Sequence, residues 1–373
     1  MITQQLDLYN KNRIILPTLK TEGIKYAGSK LKIIPMIVEI LSELGGVDKV
    51  LDGFSGSTRV SQAFASLGYK TISSDVSVWS EVFANCYLRS EKPDKFYQKI
   101  IDYLNNLKGY DGWYTEYYGA ELDKKKRPFQ AKNTRKLDAI RDEIEKLNLD
   151  WVDKCVILTS LIYALDAVDS TLGHYAAYLS EWSPRSHKDM IMRLPARFAH
   201  CGQNQVIRGD IFETVANDNY DFAYYDPPYG SNNEKMPPSR VRYASYYHIW
   251  TTIIKHDKPA VFGKVNRRED SRDQFSASVF EEFRKDENGS FIAMQALRRL
   301  VQETKARYIL LSYGSGGRAT KQELGDIISE SGKLLKAVEI NYKKNVMGNM
   351  RWTNEWVNSD NKYYEYLFLM KKN

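Results

Sequence analysis

The motif Asp226-Pro227-Pro228-Tyr229 places a carboxylate, two constrained carbonyl groups and an aromatic ring within four residues. An apolar run with aromatic residues precedes it and a glycine follows, so we predict that a buried strand enters a stiff loop here. Two successive prolines fix two φ angles and hold the carbonyls of Asp226 and Pro227 outward. Such acceptors suit a planar group that carries an amine, because both N–H bonds can be accepted while the ring stacks on its face. A strand that ends in an ordinary Asp-Pro turn is the alternative.

A second cluster of candidate residues lies far upstream, where Tyr26, Gly28 and Lys30 precede an apolar pattern with helical spacing. Ser29 is predicted to cap that amphipathic helix at its N-terminus. Gly28 would let a ligand approach the backbone, and Lys30 in the first helical turn could meet a carboxylate. An ordinary capped helix explains these residues equally well.

The third group belongs to a predicted strand–helix–strand unit, in which residues 47–51 and 70–74 are the strands and Asp75 ends the second one. A glycine-bearing first turn, followed roughly 20 residues later by an acidic residue, seats a nucleoside in a doubly wound sheet. Thr58 stands where the dinucleotide fingerprint has a small residue, and no phosphate-binding lysine follows, so a nucleoside without a pyrophosphate fits better than NAD. The candidate binding residues of the turn are Asp52, Phe54, Ser55 and Gly56.

In this order the three motifs resemble those of the amino-methylating DNA methyltransferases, specifically the adenine-specific Dam-like (D12) class. Some stretches also resemble the methylase domain associated with the FokI system. The resemblance covers most of residues 25–92 and 204–370, and the middle of the chain matches only loosely. It implies S-adenosyl-L-methionine as the cofactor and Asp210 beside its adenine ring, although a turn aspartate also explains Asp210. The cofactor-binding residues implied are Tyr26, Gly28, Lys30, Asp52, Phe54, Ser55, Gly56, Asp75, Asp210 and Asp226.

The fold that the resemblance implies is α/β and Rossmann-like, with a mostly parallel seven-stranded sheet and a helical insertion. Residues 1–92 would form an N-terminal arm and the cofactor-binding half. Residues 93–203 would form an inserted target-recognition domain, because the strand–helix alternation stops there. Residues 204–373 would form the catalytic half, and the runs 337–342 and 364–370 are predicted to be the strand pair that ends the sheet.

Basic residues are interleaved with aromatic ones in the predicted insertion, and this combination suits contact with both phosphates and bases. A solvated basic face beside a buried aromatic cluster is the alternative, and for the individual tyrosines we favour burial; these are Tyr110, Tyr114, Tyr117 and Tyr118. For the segment as a whole we favour DNA binding. The residues predicted to contact DNA are Lys124, Lys125, Lys126, Arg127, Arg240 and Arg267.

Composition sets limits on the class of protein. A chain of 373 residues can build one large or two moderate domains. Its three cysteines are far apart, so we expect neither a disulfide framework nor a metal site, and we expect a reducing cytoplasm. No apolar run reaches transmembrane length. A formal net charge of +7 is compatible with nucleic-acid binding without requiring it.

The predicted function is transfer of a methyl group from S-adenosylmethionine to the N6 amine of adenine in duplex DNA. The base must leave the stack to be reached, so base flipping is implied. Asp226 and the Pro227 carbonyl would hold the N–H bonds, and Tyr229 would stack on the base. Adenine in RNA, the cytosine amine, or a non-catalytic DNA-binding role on the same fold are the alternatives. A cognate restriction endonuclease is a further candidate partner besides double-stranded DNA.

Overall fold

A seven-stranded sheet forms the centre of the computed structural model, which describes residues 19–200, 202–230, 242–272, 278–341 and 364–373. The strands lie in the order β6–β7–β5–β4–β1–β2–β3 across the sheet, and only β7 runs antiparallel to its neighbours. Their bounds are Lys49–Asp52 (β1), Lys70–Asp75 (β2), Gln205–Arg208 (β3), Tyr220–Tyr225 (β4), Ala306–Gly314 (β5), Gly332–Asn341 (β6) and Tyr364–Lys372 (β7). The predicted fold, mostly parallel with seven strands, is confirmed, and Tyr342 of the predicted last strand pair lies outside the described residues.

Helices cover both faces of this sheet, as the apolar sequences of its strands require. Alternate residues of β1 enter different cores: Val50 packs on one face and Leu51 on the other. The helices are α1 (Ile34–Ser42), α2 (Arg59–Ser66), α3 (Val78–Leu88), α4 (Asp94–Asn105), α5 (Trp113–Tyr118), α6 (Ala131–Lys146), α7 (Trp151–Asp166), α8 (Ile211–Asn217), α9 (Tyr243–Tyr246), α10 (His248–Lys255), α11 (Ile292–Glu303) and α12 (Lys321–Ser331). Within the described ranges, no helix is long and apolar enough to cross a bilayer.

The helices α4 to α7 belong to the segment 93–203, whose boundaries as a separate domain stay a prediction. They share one apolar core with α3 and α10, which lie outside that segment. In this core Phe83 of α3 contacts the ring of Tyr163 of α7 and the ring of Trp250 of α10. Tyr114 and Tyr118 are fully buried in the same core, so the burial expected for them is confirmed. It was wrong for Tyr110, which is 44% exposed, and Tyr117 is only partly buried.

The predicted start of α1 was wrong. The helix begins at Ile34 with Ile33 at its N-cap position, and no side chain caps it, so Ser29 is not the cap. Pro35 explains the later start, because a proline has no N–H and is tolerated only in the first turn of a helix. A helix capped by Ser29 would have placed that proline in its interior.

Candidate active site

A cavity of about 720 Å³ opens at the edge of the sheet where the parallel strands end. Four loops line it: those after β1, β2, β3 and β4. In open α/β sheets this edge is where ligands bind, because the strand order reverses there and leaves a crevice. Of the predicted site residues, those that line the cavity are Tyr26, Gly28, Phe54, Gly56, Asp75, Asp210, Asp226 and Pro228. The others, Lys30, Asp52, Ser55, Pro227 and Tyr229, are not among the lining residues.

Two of these other residues stabilise the turn after β1 from within. The Asp52 carboxylate is buried and accepts a hydrogen bond of 2.6 Å from the Ser61 hydroxyl at the start of α2. Burial raises the pKa of Asp52 to about 7, although the bond from Ser61 lowers it. The Ser55 hydroxyl lies 2.9 Å from that of Ser80 in α3. Both side chains therefore stabilise the turn, whereas Phe54 and Gly56 of the same turn line the cavity.

The residues around the two glycines of this turn leave no room for a side chain at either position. A Cβ added to Gly53 would lie 2.5 Å from the Tyr225 ring, and one added to Gly56 would lie 2.9 Å from the Tyr26 ring. The Asp75 carboxylate connects this turn to the one after β2: it accepts the N–H groups of Gly56 and Ser77, each at 2.8 Å. Burial raises the pKa of Asp75, and these hydrogen bonds oppose the rise. The Asp75 carboxylate and the Gly56 backbone are thus fixed together in the cavity wall.

Apolar residues lie in the wall between Asp75 and Asp210. Val76 follows Asp75 directly and is 77% exposed, and Ile211 and Phe280 also line the cavity. Phe280 is held edge-on against Phe54, with 5.1 Å between the ring centroids. Asp210 caps α8 by accepting the Phe212 N–H at 2.8 Å and also lines the cavity, so the turn role and the ligand-facing position expected for it are compatible. Two carboxylates with an apolar surface between them suit a nucleoside.

A column of stacked aromatic rings holds the Tyr26–Gly28 segment in place. The Tyr26 ring stacks on Tyr247 at 4.8 Å and on Tyr243 at 5.4 Å, and Tyr247 stacks on Trp250 at 4.1 Å. The Ala27 N–H donates to the Tyr247 hydroxyl at 2.7 Å. Tyr243 lines the cavity beside Asp226 and was not among the predicted site residues. The density of aromatics around it was visible in the sequence, but their pattern did not indicate which ring faces the cavity.

Asp226 belongs to a largely buried cluster of four interacting side chains. The other three are Lys30, Tyr229 and Glu365. The Lys30 ammonium lies 3.0 Å from Asp226 Oδ1 and 3.1 Å from Glu365 Oε1, and it donates to the Tyr229 hydroxyl at 2.6 Å. That hydroxyl is within hydrogen-bond distance of both carboxylates, at 2.7 Å from Glu365 Oε1. Glu365 was not predicted from the sequence.

The contacts of Asp226 leave its two oxygens in different environments. Oδ1 accepts from Lys30 and Tyr229, whereas no group in the described part of the chain bonds to Oδ2. Burial raises the pKa of Asp226 to about 6; the charge of Lys30 lowers it and that of Glu365 raises it. Burial lowers the pKa of Lys30, but Asp226 and Glu365 outweigh that effect and the pKa is raised. Asp226 is thus anchored by one oxygen beside a positive charge that favours its ionised, hydrogen-bond-accepting form.

The residues predicted to contact DNA separate into exposed and internally bonded ones. Lys124 and Lys125 are exposed at the rim of a second cavity, of about 440 Å³. Lys126 donates to the Ser170 carbonyl at 3.0 Å, and its ammonium lies over the ring of Tyr178 at 5.0 Å and that of Trp182 at 5.2 Å.

The two described arginines of that set are also bonded within the protein. Arg127 donates to the Tyr117 carbonyl at 2.8 Å, and Arg267 donates to the Ser271 carbonyl at 2.7 Å. Arg240 lies outside the described residues. Across the described ranges, no group of three or more His, Cys, Asp or Glu side chains could hold a metal ion.

Comparison with known proteins gives the same family that the motifs resemble. The family model of the D12 class N6 adenine-specific DNA methyltransferases matches residues 26–280, more than half of the chain. The chain is 26% identical over 369 residues to the modification methylase StsI of Streptococcus sanguinis, a match that covers 94% of this chain and 52% of StsI.

Two further relatives are type II methyltransferases. The chain is 25% identical over 358 residues to M.NlaIII of Neisseria lactamica, with 94% of this chain and 99% of M.NlaIII covered. It is 23% identical over 365 residues to M.FokI of Planomicrobium okeanokoites, with 94% and 53% covered. The chain therefore spans about half the length of StsI and M.FokI and nearly all of M.NlaIII.

Proposed function

Because the chain belongs to the family of D12 class N6 adenine-specific DNA methyltransferases, we propose that it methylates the N6 amine of adenine at a specific site in duplex DNA. One observation carries this proposal: Asp226 lines the cavity with Oδ1 bonded to Lys30 and Tyr229, while nothing described bonds to Oδ2. A carboxylate held in this way can accept one N–H of an amine without having to reorganise.

We propose S-adenosyl-L-methionine as the methyl donor. When bound, it supplies an electrophilic methyl group on a sulfonium sulfur. The donor set of the cavity supports it: Asp75 would accept hydrogen bonds from ribose hydroxyls, and Asp210 would accept one from the adenine amine of the cofactor. Val76, Ile211 and Phe280 would cover the faces of that ring, which accounts for the exposure of Val76. Gly53 and Gly56 would allow close approach to the backbone.

The target amine would be held by the loop after β4. Asp226 Oδ2 and the Pro227 carbonyl would accept its two N–H bonds and favour a tetrahedral nitrogen whose lone pair is available for attack. The nitrogen would gain the methyl group as the methyl–sulfur bond breaks and leaves a neutral thioether. It would then lose one proton, which Asp226 could accept before it reaches solvent. The base would have to leave the duplex, at a cost of a few kcal/mol. Tyr243, which lines the cavity, could stack on it as Tyr229 was expected to do.

Double-stranded DNA is the proposed macromolecular partner, with Lys124 and Lys125 as phosphate contacts. Since StsI is described as a modification methylase and M.FokI as a type II methyltransferase, we also propose a cognate restriction endonuclease as a partner. The segment 93–203 is proposed to recognise the target sequence.

Transfer of labelled methyl groups tests this function. The purified protein, S-adenosylmethionine and duplex DNA should yield N6-methyladenine by mass spectrometry of the digested product, and sequencing of methylated DNA should give one recognition sequence. Asp226→Asn should reduce the rate at least about a hundredfold while cofactor binding persists, because a charged acceptor is lost at the reacting nitrogen. Asp326→Asn, at an exposed site on α12, is the matched control. Label only in matched RNA or in cytosine would favour those substrates, and cofactor binding without any transfer would favour the non-catalytic alternative.

A further inference from the structure

Glu365 is an exception in its strand. The run Leu367–Met370 of β7 is buried and apolar, whereas Glu365 in the same strand is a carboxylate that is only 3% exposed. It lies opposite Gly314 at the end of β5. A buried carboxylate is costly unless several donors compensate it, so its presence near the cavity requires an explanation.

Three donors converge on one oxygen of this carboxylate. Glu365 Oε1 accepts from the Ser312 hydroxyl at 2.6 Å, and it lies 2.7 Å from the Tyr229 hydroxyl and 3.1 Å from the Lys30 ammonium. Two of these donors, Lys30 and Tyr229, are also the groups that bond to Asp226 Oδ1. Glu365 and Asp226 therefore share the same two donors.

Because Glu365 shares these two donors, it limits how strongly they bind Asp226. The Tyr229 hydroxyl has one proton and can donate to one carboxylate at a time, while the Lys30 ammonium can donate to both. With Glu365 present, the donors are divided between two acceptors. Without its charge, Lys30 and Tyr229 would both be directed to Asp226, and the carboxylate would be drawn toward them and become a weaker acceptor on its other oxygen.

We propose that Glu365 is a positioning residue, which holds Lys30 and Tyr229 so that Asp226 stays fixed through Oδ1 and presents Oδ2 to the amine of the target base. This role rests on the proposed function, since it concerns the same reacting group. Glu365 is not among the residues that line the cavity, so it would act through its two shared partners.

The charge of Glu365 also sets the direction of a pH effect. The charged or titratable groups that interact with Asp226 include Lys30, Glu365 and Tyr229, and, on neighbouring elements, Asp52, Tyr224 and Tyr243. Because the negative charge of Glu365 raises the pKa of Asp226, its removal should lower that pKa. The acidic limb of the rate profile, which requires ionised Asp226, should then move to lower pH.

Glu365→Gln tests the proposal, because glutamine keeps the shape and removes the charge. We expect the single-turnover rate of methyl transfer to fall about tenfold or more, as for loss of a hydrogen bond to a charged group. The dissociation constant of S-adenosylmethionine, measured by calorimetry, should stay within about twofold. Glu365→Asp should recover part of the rate. The matched control is Glu339→Gln, an exposed glutamate on β6 that pairs with Lys321.

The outcomes separate this proposal from the proposed function. A folded Glu365→Gln protein with an unchanged rate and pH profile would overturn the positioning role, and so would a loss of cofactor affinity as large as the loss of rate. Should the variant not fold, Ser312→Ala removes one donor to Glu365 and should lower the rate by a smaller factor at unchanged cofactor affinity; a wild-type rate would overturn the role. If the wild type methylates no adenine, the proposed function fails, and an NMR titration of the Asp226 carboxyl in both proteins still decides whether Glu365 controls it.

Discussion

The hydroxyl of Tyr229 makes several polar contacts, whereas Tyr229 is not among the residues that line the cavity. The hydroxyl lies between Lys30, Asp226 and Glu365. Stacking on a flipped base was the role expected from the sequence, and that role stays a prediction. The two roles can be separated, since phenylalanine keeps the ring and removes the hydroxyl.

We expect Tyr229→Phe to lower the rate of methyl transfer roughly 10- to 150-fold, because a buried hydrogen bond to charged groups contributes about 1.5–3 kcal/mol. Tyr229→Ala should cost more, since it also removes the ring that packs on Tyr313 at 4.7 Å. Single-turnover rates measure the effect, and Tyr308→Phe, on a partly exposed tyrosine of β5, is the control. A Tyr229→Phe enzyme as fast as the wild type would assign the role to the ring alone.

Asp75 is the residue on which cofactor binding should depend most. We expect Asp75→Ala to weaken S-adenosylmethionine binding by about tenfold or more, because bonds from a carboxylate to ribose hydroxyls contribute about 1.5–3 kcal/mol. Calorimetry measures the dissociation constant, and circular dichroism checks the fold, since Asp75 also holds the Gly56 and Ser77 N–H groups. An unchanged dissociation constant would remove Asp75 from the site.

At the scale of elements, the sequence predicted the sheet and the local motifs well. The glycine-bearing turn and Asp75 belong to one strand–helix–strand unit, so short-range spacing was enough to locate both at the same sheet edge. The helix α12 begins at Lys321, and a capping box between Thr320 and Glu323 explains its start. Interactions between residues that are close in sequence determine these features, so the sequence alone was enough to predict them.

The site residues that could not be predicted are those placed by contacts between segments far apart in the sequence. Glu365 reaches Lys30 only because β7 inserts antiparallel between β5 and β6, and no local pattern marks that glutamate. Phe280 lines the cavity from a short helical turn with no periodic pattern around it. Likewise, charge alone did not distinguish Lys126, which is bonded internally, from the exposed Lys124 and Lys125.

The segment that carries Lys124 and Lys125 allows a sharper test of DNA binding than the whole basic run. The double change Lys124→Ala and Lys125→Ala should weaken binding to all sequences alike. It should also reduce the slope of log K against log salt by up to about 1.8, because each phosphate contact contributes about 0.9. Fluorescence anisotropy at several salt concentrations measures the slope.

The control for this change is the pair Lys333→Ala and Lys371→Ala. These exposed lysines are cross-strand partners at the start of β6, at the sheet edge opposite the cavity. They should leave the slope unchanged. Equal slopes for the wild type and the Lys124/Lys125 variant would mean that those lysines are only a solvated face.

For the whole molecule, the important feature is the core that the segment 93–203 shares with the rest of the chain. Ile157 of α7, Val82 of α3 and Trp250 of α10 lie in one buried cluster, and α3 directly follows the turn that carries Asp75. Helices that share a core in this way should not unfold separately, because exposing one removes the apolar contacts of the other.

We therefore expect a single unfolding transition in calorimetry, with S-adenosylmethionine shifting the entire transition to higher temperature by binding the native state. Ile157→Ala should lower the free energy of unfolding by about 2–5 kcal/mol, because it leaves a cavity in that core, and it should lower the one transition as a whole. Ile191→Ala, at a residue that is 55% exposed, is the control and should have little effect. Two resolved transitions, of which the cofactor shifts only one, would instead mean that the segment 93–203 is an independent domain despite its contacts with α3 and α10.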